Sequence, residues 1–475
     1  VTYQPRHPDY NHQTVGKAKA RGKAAFAYFM EQGTGKTKVA IDEMGELAAA
    51  KEIDLGLVIA PNGVHRNWHG EVGVHMSEAV PAEVMVYRSG NPDKAIKQVR
   101  ELLSKKGVLP IVSMNVEAMS TESGFTFARR LLASRQRACV VVDECQKISN
   151  PTAGRTKHVV ELSKRSAIRR VLTGTMWHEG LERIYAPFRF LDKRILGHNS
   201  YSSFRAEYCI MGGFENRSIV DYRNMEGLRA LIDPSSFEVL KKECLDLPDV
   251  MDIEQEVELS PEQARTYRKL KEELIIELES GGLVDATIVA SRLLRLQQIL
   301  SGFLRADDGS VLVMPCPRAE HCAELVEEAR GKVIVFCRFQ YDVELLMETL
   351  GKRKIGAVPY YGPISEEERA RNLARFRSDP ACRAIVMTES TGGTGLTLNE
   401  ASTTIFYSHG WSFESREQAK ARNHRIGQSD KVTHFSLYAA GTLDRYILKK
   451  LMAKQSLVTD FRNLRDVRFN LKEAA

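Results

Sequence analysis

At 475 residues the chain is too long for one ordinary core, and two domains are expected. Its 43% apolar and 27% charged residues describe a globular protein, and no run approaches the roughly 18 apolar residues that span a bilayer, which argues against a helical membrane protein. Sixty-eight basic against sixty-one acidic residues leave a net charge of +7, which permits a polyanionic partner without requiring one.

The first informative element is the apolar run AAFAYFM (24–30), followed by EQGTGKT (31–37) and a helix-like KVAIDEMGELAAA (38–50). Met30 stands where the strict G-x-x-x-x-G-K-[ST] pattern has glycine, but Gly33, Thr34, Gly35, Lys36 and Thr37 keep its core. Glycines let backbone N–H groups close on phosphate oxygens, Lys36 reaches the β- and γ-phosphates, and Thr37 is a magnesium ligand. Apolar runs at 55–61, 109–114, 138–144 and 169–175 then alternate with helix-length charged segments, the pattern of a parallel sheet covered by helices. Asp143 and Glu144 close the third run, at the strand end where open α/β sheets bind ligands. By position Asp143 is assigned to the magnesium shell and Glu144 to polarising an attacking water.

Residues 234–248 and 262–300 show no strand runs and read as a connector followed by long helices, with Leu293, Leu296, Gln297 and Leu300 on one helical face. A second alternating series follows, with runs at 332–337, 383–389, 403–408 and 432–438. The expected fold is therefore α/β, two parallel-sheet lobes in tandem with helical insertions, divided as 1–245 and 246–475. Eight cysteines lie scattered without a C-x-x-C pair, several inside apolar runs, and read as reduced buried thiols. The adjacent His321 and Cys322 with Cys316 make an awkward set for one tetrahedral ion, so no structural zinc is expected. Near the end, QAKARNHRIGQ (418–428) sets Arg422 and Arg425 three residues apart. Guanidinium forks can neutralise a transferring phosphoryl group, which suggests an ATP site assembled from both lobes; a solvated helix face is the alternative.

These motifs occur in an order that resembles the Snf2-like branch of superfamily 2 helicase-fold ATPases, whose lobes are RecA-like. The resemblance runs through YNHQ with Gln13, EQGTGKT, APNGVHRNW ending at Trp68, DECQKISN from Asp143 and LTGTMWHEGLERIY from Leu172. It continues through KVIVFCRF from Lys332, YYGPISEEER from Tyr360, TGGTGLTL from Thr391 and WSFESREQAKARNHRIGQ from Trp411. It implies a compact bacterial or phage-like translocase that uses ATP and Mg2+ on double-stranded DNA, with DNA-bound proteins as further partners and without a membrane. The expected location is the cytoplasm of a bacterium or virus-infected host cell, or the nucleus in a eukaryote. A strand-separating DNA or RNA helicase, or a nucleotide-controlled DNA-binding switch with weak turnover, are the alternatives.

The resemblance also implies roles. Gln13 would read adenine, and Arg422 and Arg425 would enter the site as arginine fingers. Gly393 and Gly395 would lie in the loop that couples nucleotide state to DNA contact, with Gly395 also on the nucleotide side; Gln146, Thr173 and Thr175 would couple within the first lobe. DNA contacts are expected from Asn62, Arg66, Ser113 and Asn115, and from Arg338, Thr391, Gly392 and Trp411. On residue type Trp411 fits a sheet-capping core position equally well, and Arg66 and Arg338 fit surface charges. The chain departs from the pattern at Gln146 (histidine in DEAH-type relatives), at Met176 and Trp177 (a Pro-aliphatic pair), and at Lys241 and Lys242 (often Arg-Arg). An amide at 146 can donate and accept without titrating, Trp177 implies altered packing, and the lysines put a bidentate contact between lobes in doubt.

Overall fold

A computed structural model describes residues 3–454, apart from 63, 91, 175, 178, 179, 213–217, 246, 280–285, 307, 393–395 and 426. It divides into two compact units, the first running to residue 246 and the second from Leu247 to Gln455. Each is a parallel α/β unit built on its own sheet. Among the described residues no helix is long and apolar enough to cross a membrane.

The first unit contains β1 (Ala25–Met30), β2 (Leu55–Ala60), β3 (Ala82–Val86), β4 (Leu109–Asn115), β5 (Ala138–Asp143), β6 (Ile168–Thr173), the pair β7 (Cys209–Gly212) and β8 (Ser218–Tyr222), and β9 (Ser236–Val239). Seven of them form a sheet in the order β3-β4-β2-β5-β6-β1-β9, every pairing parallel. Strands β2 and β5 are buried along their whole length, as continuous apolar runs covered on both faces must be. The helix Lys36–Ala49 packs Val39, Ala40, Ile41 and Met44 into this core.

The second unit contains β10 (Val250–Glu256), the short hairpin β11 (Phe303–Arg305) and β12 (Val311–Val313), β13 (Lys332–Cys337), β14 (Gly356–Tyr360), β15 (Cys382–Thr388), β16 (Ala401–Phe406) and β17 (Val432–Tyr438). Its sheet runs β10-β17-β16-β13-β15-β14, again all parallel. Leu296 and Leu300 of the helix Ala286–Leu300 are buried, and Gln297 on the same face donates to His409 O at 2.8 Å.

The connector is not strand-free. Ser236–Val239, inside 234–248, pairs with β1 as an edge strand of the first sheet, and Val250–Glu256, which lies between the connector and the helices and to which no element was assigned, pairs with β17 at the edge of the second. Neither reads as a strand because each lacks an apolar run. In β9 the buried Glu238 meets Arg229 at 2.8 Å and the Trp177 indole at 2.9 Å, while β10 keeps its charged side chains near solvent at the sheet edge.

Candidate functional site

The first unit gathers its polar residues at the carboxyl ends of β1 and β5. Beyond Met30 the chain turns through Gly33 and Gly35, whose φ of 88° and 85° lie in the left-handed region that favours glycine. Gly35 is constrained twice, since a Cβ there would stand 2.2 Å from Gln13 Nε2. Helix Lys36–Ala49 then starts without a side-chain cap, so its first-turn N–H groups suit an anion. Thr34 is buried, its hydroxyl donating to Glu31 O at 2.7 Å, and Thr37 is half-buried one residue past Lys36.

The loop is held from the N-terminal side. His12 Nε2 donates to Thr34 O at 2.8 Å and Gln13 Nε2 to the same carbonyl at 3.2 Å, while Gln13 Oε1 accepts from Tyr10 N at 3.1 Å. An amide carries two N–H donors and two acceptor lone pairs, so these two bonds leave half of Gln13 for a ligand. Asp9 binds both Lys17, at 2.7 Å, and Lys38, and Lys38 also meets Asp42 at 2.6 Å. Tyr3 donates to Asp42 at 2.7 Å, tying the N-terminal segment to the helix that follows the loop. From the other side Glu31 accepts from Lys241 N at 2.9 Å, with the buried Lys241 ammonium 4.0 Å away. Lys241 thus serves the phosphate loop within its own unit, and Lys242 is exposed.

Asp143 and Glu144 sit at the end of β5 in different surroundings. Asp143 is buried, accepts from Trp68 Nε1 at 3.1 Å and from Glu144 N at 3.0 Å, and its carboxyl is pushed up to about 6 by burial and by the charge of Glu144. Glu144 adopts a left-handed backbone, φ 49° and ψ 57°, a strained conformation for a side chain of this type. That turn aims its carboxylate at Lys36 Nζ (3.3 Å), Gln32 Nε2 (3.3 Å) and Gln146 Nε2 (2.8 Å). Lys36, Asp143 and Glu144 are therefore one cluster. Gln146, expected to couple toward Thr173 and Thr175, donates to Glu144; Thr173 is buried at the end of β6, and Thr175 lies outside the described residues. Beside it, a Cβ at Gly174 would stand 2.8 Å from Gln32 N, so β6 approaches the loop closely.

Trp177 explains one departure from the family pattern. It is buried, packs edge-on against Phe29 at 5.1 Å and donates to Glu238, so the larger side chain is absorbed by β1 and β9. Of the expected DNA-contact residues in this unit, Asn62 and Arg66 are exposed and Asn115 is half-buried. Ser113 does not reach the surface: it is fully buried and its hydroxyl donates to His65 O at 2.7 Å, which fastens β4 to the helix Val64–His75.

In the second unit Arg422 and Arg425 follow the helix Phe413–Lys420. Arg422 is buried and donates to Gln418 O at 3.0 Å and Leu396 O at 3.1 Å; Arg425 is half-buried and reaches Leu396 O at 3.5 Å. Gln428 is a hub that sequence reasoning left without a role. Its two amide N–H groups are shared among the carbonyls of Asn423 (3.0 Å), Ala401 (3.1 Å) and Asn399 (3.3 Å), which ties the segment after Arg422 to the start of β16. Arg338 is exposed, Thr391 accepts from Thr388 at 2.9 Å, Gly392 ends the helix Glu389–Gly392, and Trp411 is half-buried, edge-on to Tyr446 at 6.1 Å. Gly393 and Gly395 lie outside the described residues.

The sequence profile described as the SNF2-related domain matches residues 28–305, and that of the helicase conserved C-terminal domain matches residues 318–427. The chain belongs to the SNF2-related family. It is 26% identical over 436 residues to the uncharacterized ATP-dependent helicase MG018 of Mycoplasma genitalium, covering 90% of this chain and 39% of that protein. It is 23% identical over 464 residues to the CHD3-type chromatin-remodeling factor PICKLE of Arabidopsis thaliana, covering 90% and 32%. The SNF2-related chain thus spans about a third to two-fifths of the length of these relatives. Among solved structures, the Sulfolobus solfataricus SWI2/SNF2 ATPase core in complex with dsDNA is 25% identical, with 97% of this chain and 94% of that one covered and a TM-score of 0.44.

Proposed function

We propose that this SNF2-related chain is a DNA-stimulated ATPase that translocates on double-stranded DNA and thereby remodels DNA or protein-DNA complexes. The observation that carries the hydrolytic part of the reading is the Lys36–Glu144 pair at the mouth of the phosphate loop. The ammonium and the carboxylate lie 3.3 Å apart and neutralise each other. A nucleotide whose β- and γ-phosphates draw Lys36 away releases Glu144, which can then accept a proton from the attacking water. Gln32 and Gln146 hold Glu144 from the side and set its direction. The Thr37 hydroxyl and the Asp143 carboxylate are hard oxygen donors of the kind magnesium takes, so the residues present fit a nucleotide-bound ion. When bound, the ion neutralises charge on the phosphates.

Arg422 and Arg425 are assigned as the second unit's contribution to the transition state. Arg422 is buried against two carbonyls of its own unit, and Arg425 is half-buried. Asn62, Arg66, Asn115, Arg338, Thr391, Gly392 and Trp411 remain the proposed DNA contacts, mostly to the phosphate backbone, with weak sequence preference and salt-dependent affinity. One observation favours a second reading, a nucleotide-controlled switch with weak turnover: three donors hold Glu144, with an amide at 146 in place of an imidazole.

ATP turnover measured with duplex DNA, single-stranded DNA and RNA separates these readings. Strong stimulation by duplex DNA, with third-strand displacement from a triplex and no unwinding, is the expected result. Stimulation by single strands or RNA alone overturns the duplex assignment, and nucleotide-dependent DNA affinity with negligible turnover supports the switch.

A further inference from the structure

In the first unit the helix Gly154–Leu162 begins at Ala153, whose side chain has no oxygen, so no side chain caps its first-turn N–H groups. Beside that turn lies a cavity of about 290 Å3, at the lower end of the roughly 300–1,000 Å3 of small-molecule sites. Its walls include Pro151, Thr156 and Lys157 on one side. Tyr185, Arg189 and Tyr201, from the helices Tyr185–Leu191 and Tyr201–Tyr208, line the other. Among the described residues that line it none is acidic, and none belongs to the cluster of Lys36, Asp143 and Glu144.

The polar groups around this cavity have few partners in the protein. Thr156 is 1% exposed, and its hydroxyl has no hydrogen-bond partner among the described residues. A buried hydroxyl left unpaired costs about 1–3 kcal/mol, which an oxygen of a bound molecule would recover. Threonine in a helix populates two χ1 rotamers, so the hydroxyl can turn toward such a molecule. Lys157 is exposed and makes no ion pair among the described residues, and the Tyr185 and Tyr201 hydroxyls make no hydrogen bond among them. Arg189 donates through Nη1 to His198 O and Asn199 O, both at a long 3.4 Å, with its guanidinium 5.8 Å from the centre of the Tyr185 ring. The Tyr185 and Tyr201 ring centres stand 5.4 Å apart, which gives that wall an aromatic surface.

We propose that this cavity binds a small organic phosphate, a phosphoryl group on a flat apolar body, at a place separate from the phosphate loop. Two cations with no carboxylate among them, three hydroxyls and an uncapped helix start together suit an anion with several acceptor oxygens. A phosphate monoester brings close to two charges and three such oxygens at neutral pH, where a carboxylate brings one charge and two. The tyrosine rings suit the flat body. Thr156 lies too deep for a phosphate fixed on a duplex backbone, which favours a small molecule over nucleic acid. Such a site is independent of whether the chain hydrolyses ATP.

The test titrates the full chain with phenyl phosphate, orthophosphate and phenylacetate by calorimetry at fixed ionic strength. Phenyl phosphate is expected to bind saturably and more tightly than the other two. Lys36→Ala, which disables the phosphate loop, leaves that binding in place. Thr156→Val keeps the shape and removes the unpaired hydroxyl, so the melting temperature without ligand stays level or rises while affinity for phenyl phosphate falls about tenfold, as expected for a lost hydrogen bond to a charged group. Lys157→Ala lowers the affinity and makes it less dependent on salt, again without a fall in melting temperature. Binding that is lost in Lys36→Ala and kept in Thr156→Val and Lys157→Ala places the anion in the phosphate loop and overturns the inference. So does phenyl phosphate that does not bind at millimolar concentration, or that binds both cavity variants as tightly as the parent. Orthophosphate or phenylacetate bound as tightly as phenyl phosphate overturns the organic-phosphate assignment, and displacement of phenyl phosphate from the Lys36→Ala chain by a short DNA duplex makes nucleic acid the occupant instead.

Discussion

Replacing Arg170 with alanine is expected to destabilise the first unit by about 3–5 kcal/mol, the usual cost of removing one partner from a buried ion pair. Arg170 lies on β6 with 2% of its surface exposed, and its guanidinium forks onto Glu43 of the helix Lys36–Ala49, Nη2 to Oε1 at 2.6 Å and Nε to Oε2 at 2.9 Å. The same carboxylate accepts from Tyr28 of β1 at 3.0 Å, so the cluster fastens the helix behind the phosphate loop to two strands beneath it. Without Arg170, Glu43 keeps one neutral donor in a dry site. At roughly 2–4 °C per kcal/mol for a unit of this size, the melting temperature falls by roughly 6–20 °C. Urea unfolding followed by tryptophan fluorescence in a Trp411→Phe background reads the first unit selectively, because Trp68 and Trp177 are buried there. An all-apolar replacement, Arg170→Met with Glu43→Leu and Tyr28→Phe, is expected to recover most of the loss, since no charge is then stranded. A single variant within about 1 kcal/mol of the parent would refute the reasoning, because that is the range of an exposed pair.

Lys36→Ala is expected to abolish ATP hydrolysis in a chain that still folds; undiminished turnover, measured by phosphate release, would remove the phosphate loop from the mechanism. Arg425→Ala should lower DNA-stimulated kcat by about 10³-fold, and Arg422→Ala should lower both that rate and the melting temperature, because Arg422 also holds two carbonyls of its own unit. Burial lowers His409 and His434 to about 4, against an ordinary value of 6.5. The unfolded chain therefore binds these protons first, so their stabilising contribution is present above pH 6.5 and is lost as pH falls toward 4, by about 3 kcal/mol for each. His409 faces Arg416, Arg318 and Asp444, and His434 faces Asp252, Lys420 and Arg416. Asp342, pushed up to about 6 by burial, works in the opposite sense, and urea titrations of parent and His434→Gln from pH 7 to pH 4 isolate the histidine share.

The sequence by itself determined the two parallel sheets and the local chemistry of the phosphate loop. Continuous apolar runs such as ACVVVD can be covered only on both faces, and the glycines at 33 and 35 state their own backbone requirement. Edge strands β9 and β10 were not legible, because an edge need not be apolar and a buried Glu238 is tolerable only with Arg229 and Trp177 brought beside it. Tertiary structure alone decided how Asp143 and Glu144, adjacent in the chain, diverge. A left-handed turn sends one carboxylate to Trp68 and the other to Lys36. It also placed Ser113 in the interior, since the pleat of β4 and the position of His65 fix which way that hydroxyl faces. Spacing along a chain sets which residues are available; which of them share a charge or a hydrogen bond depends on contacts between segments far apart in sequence.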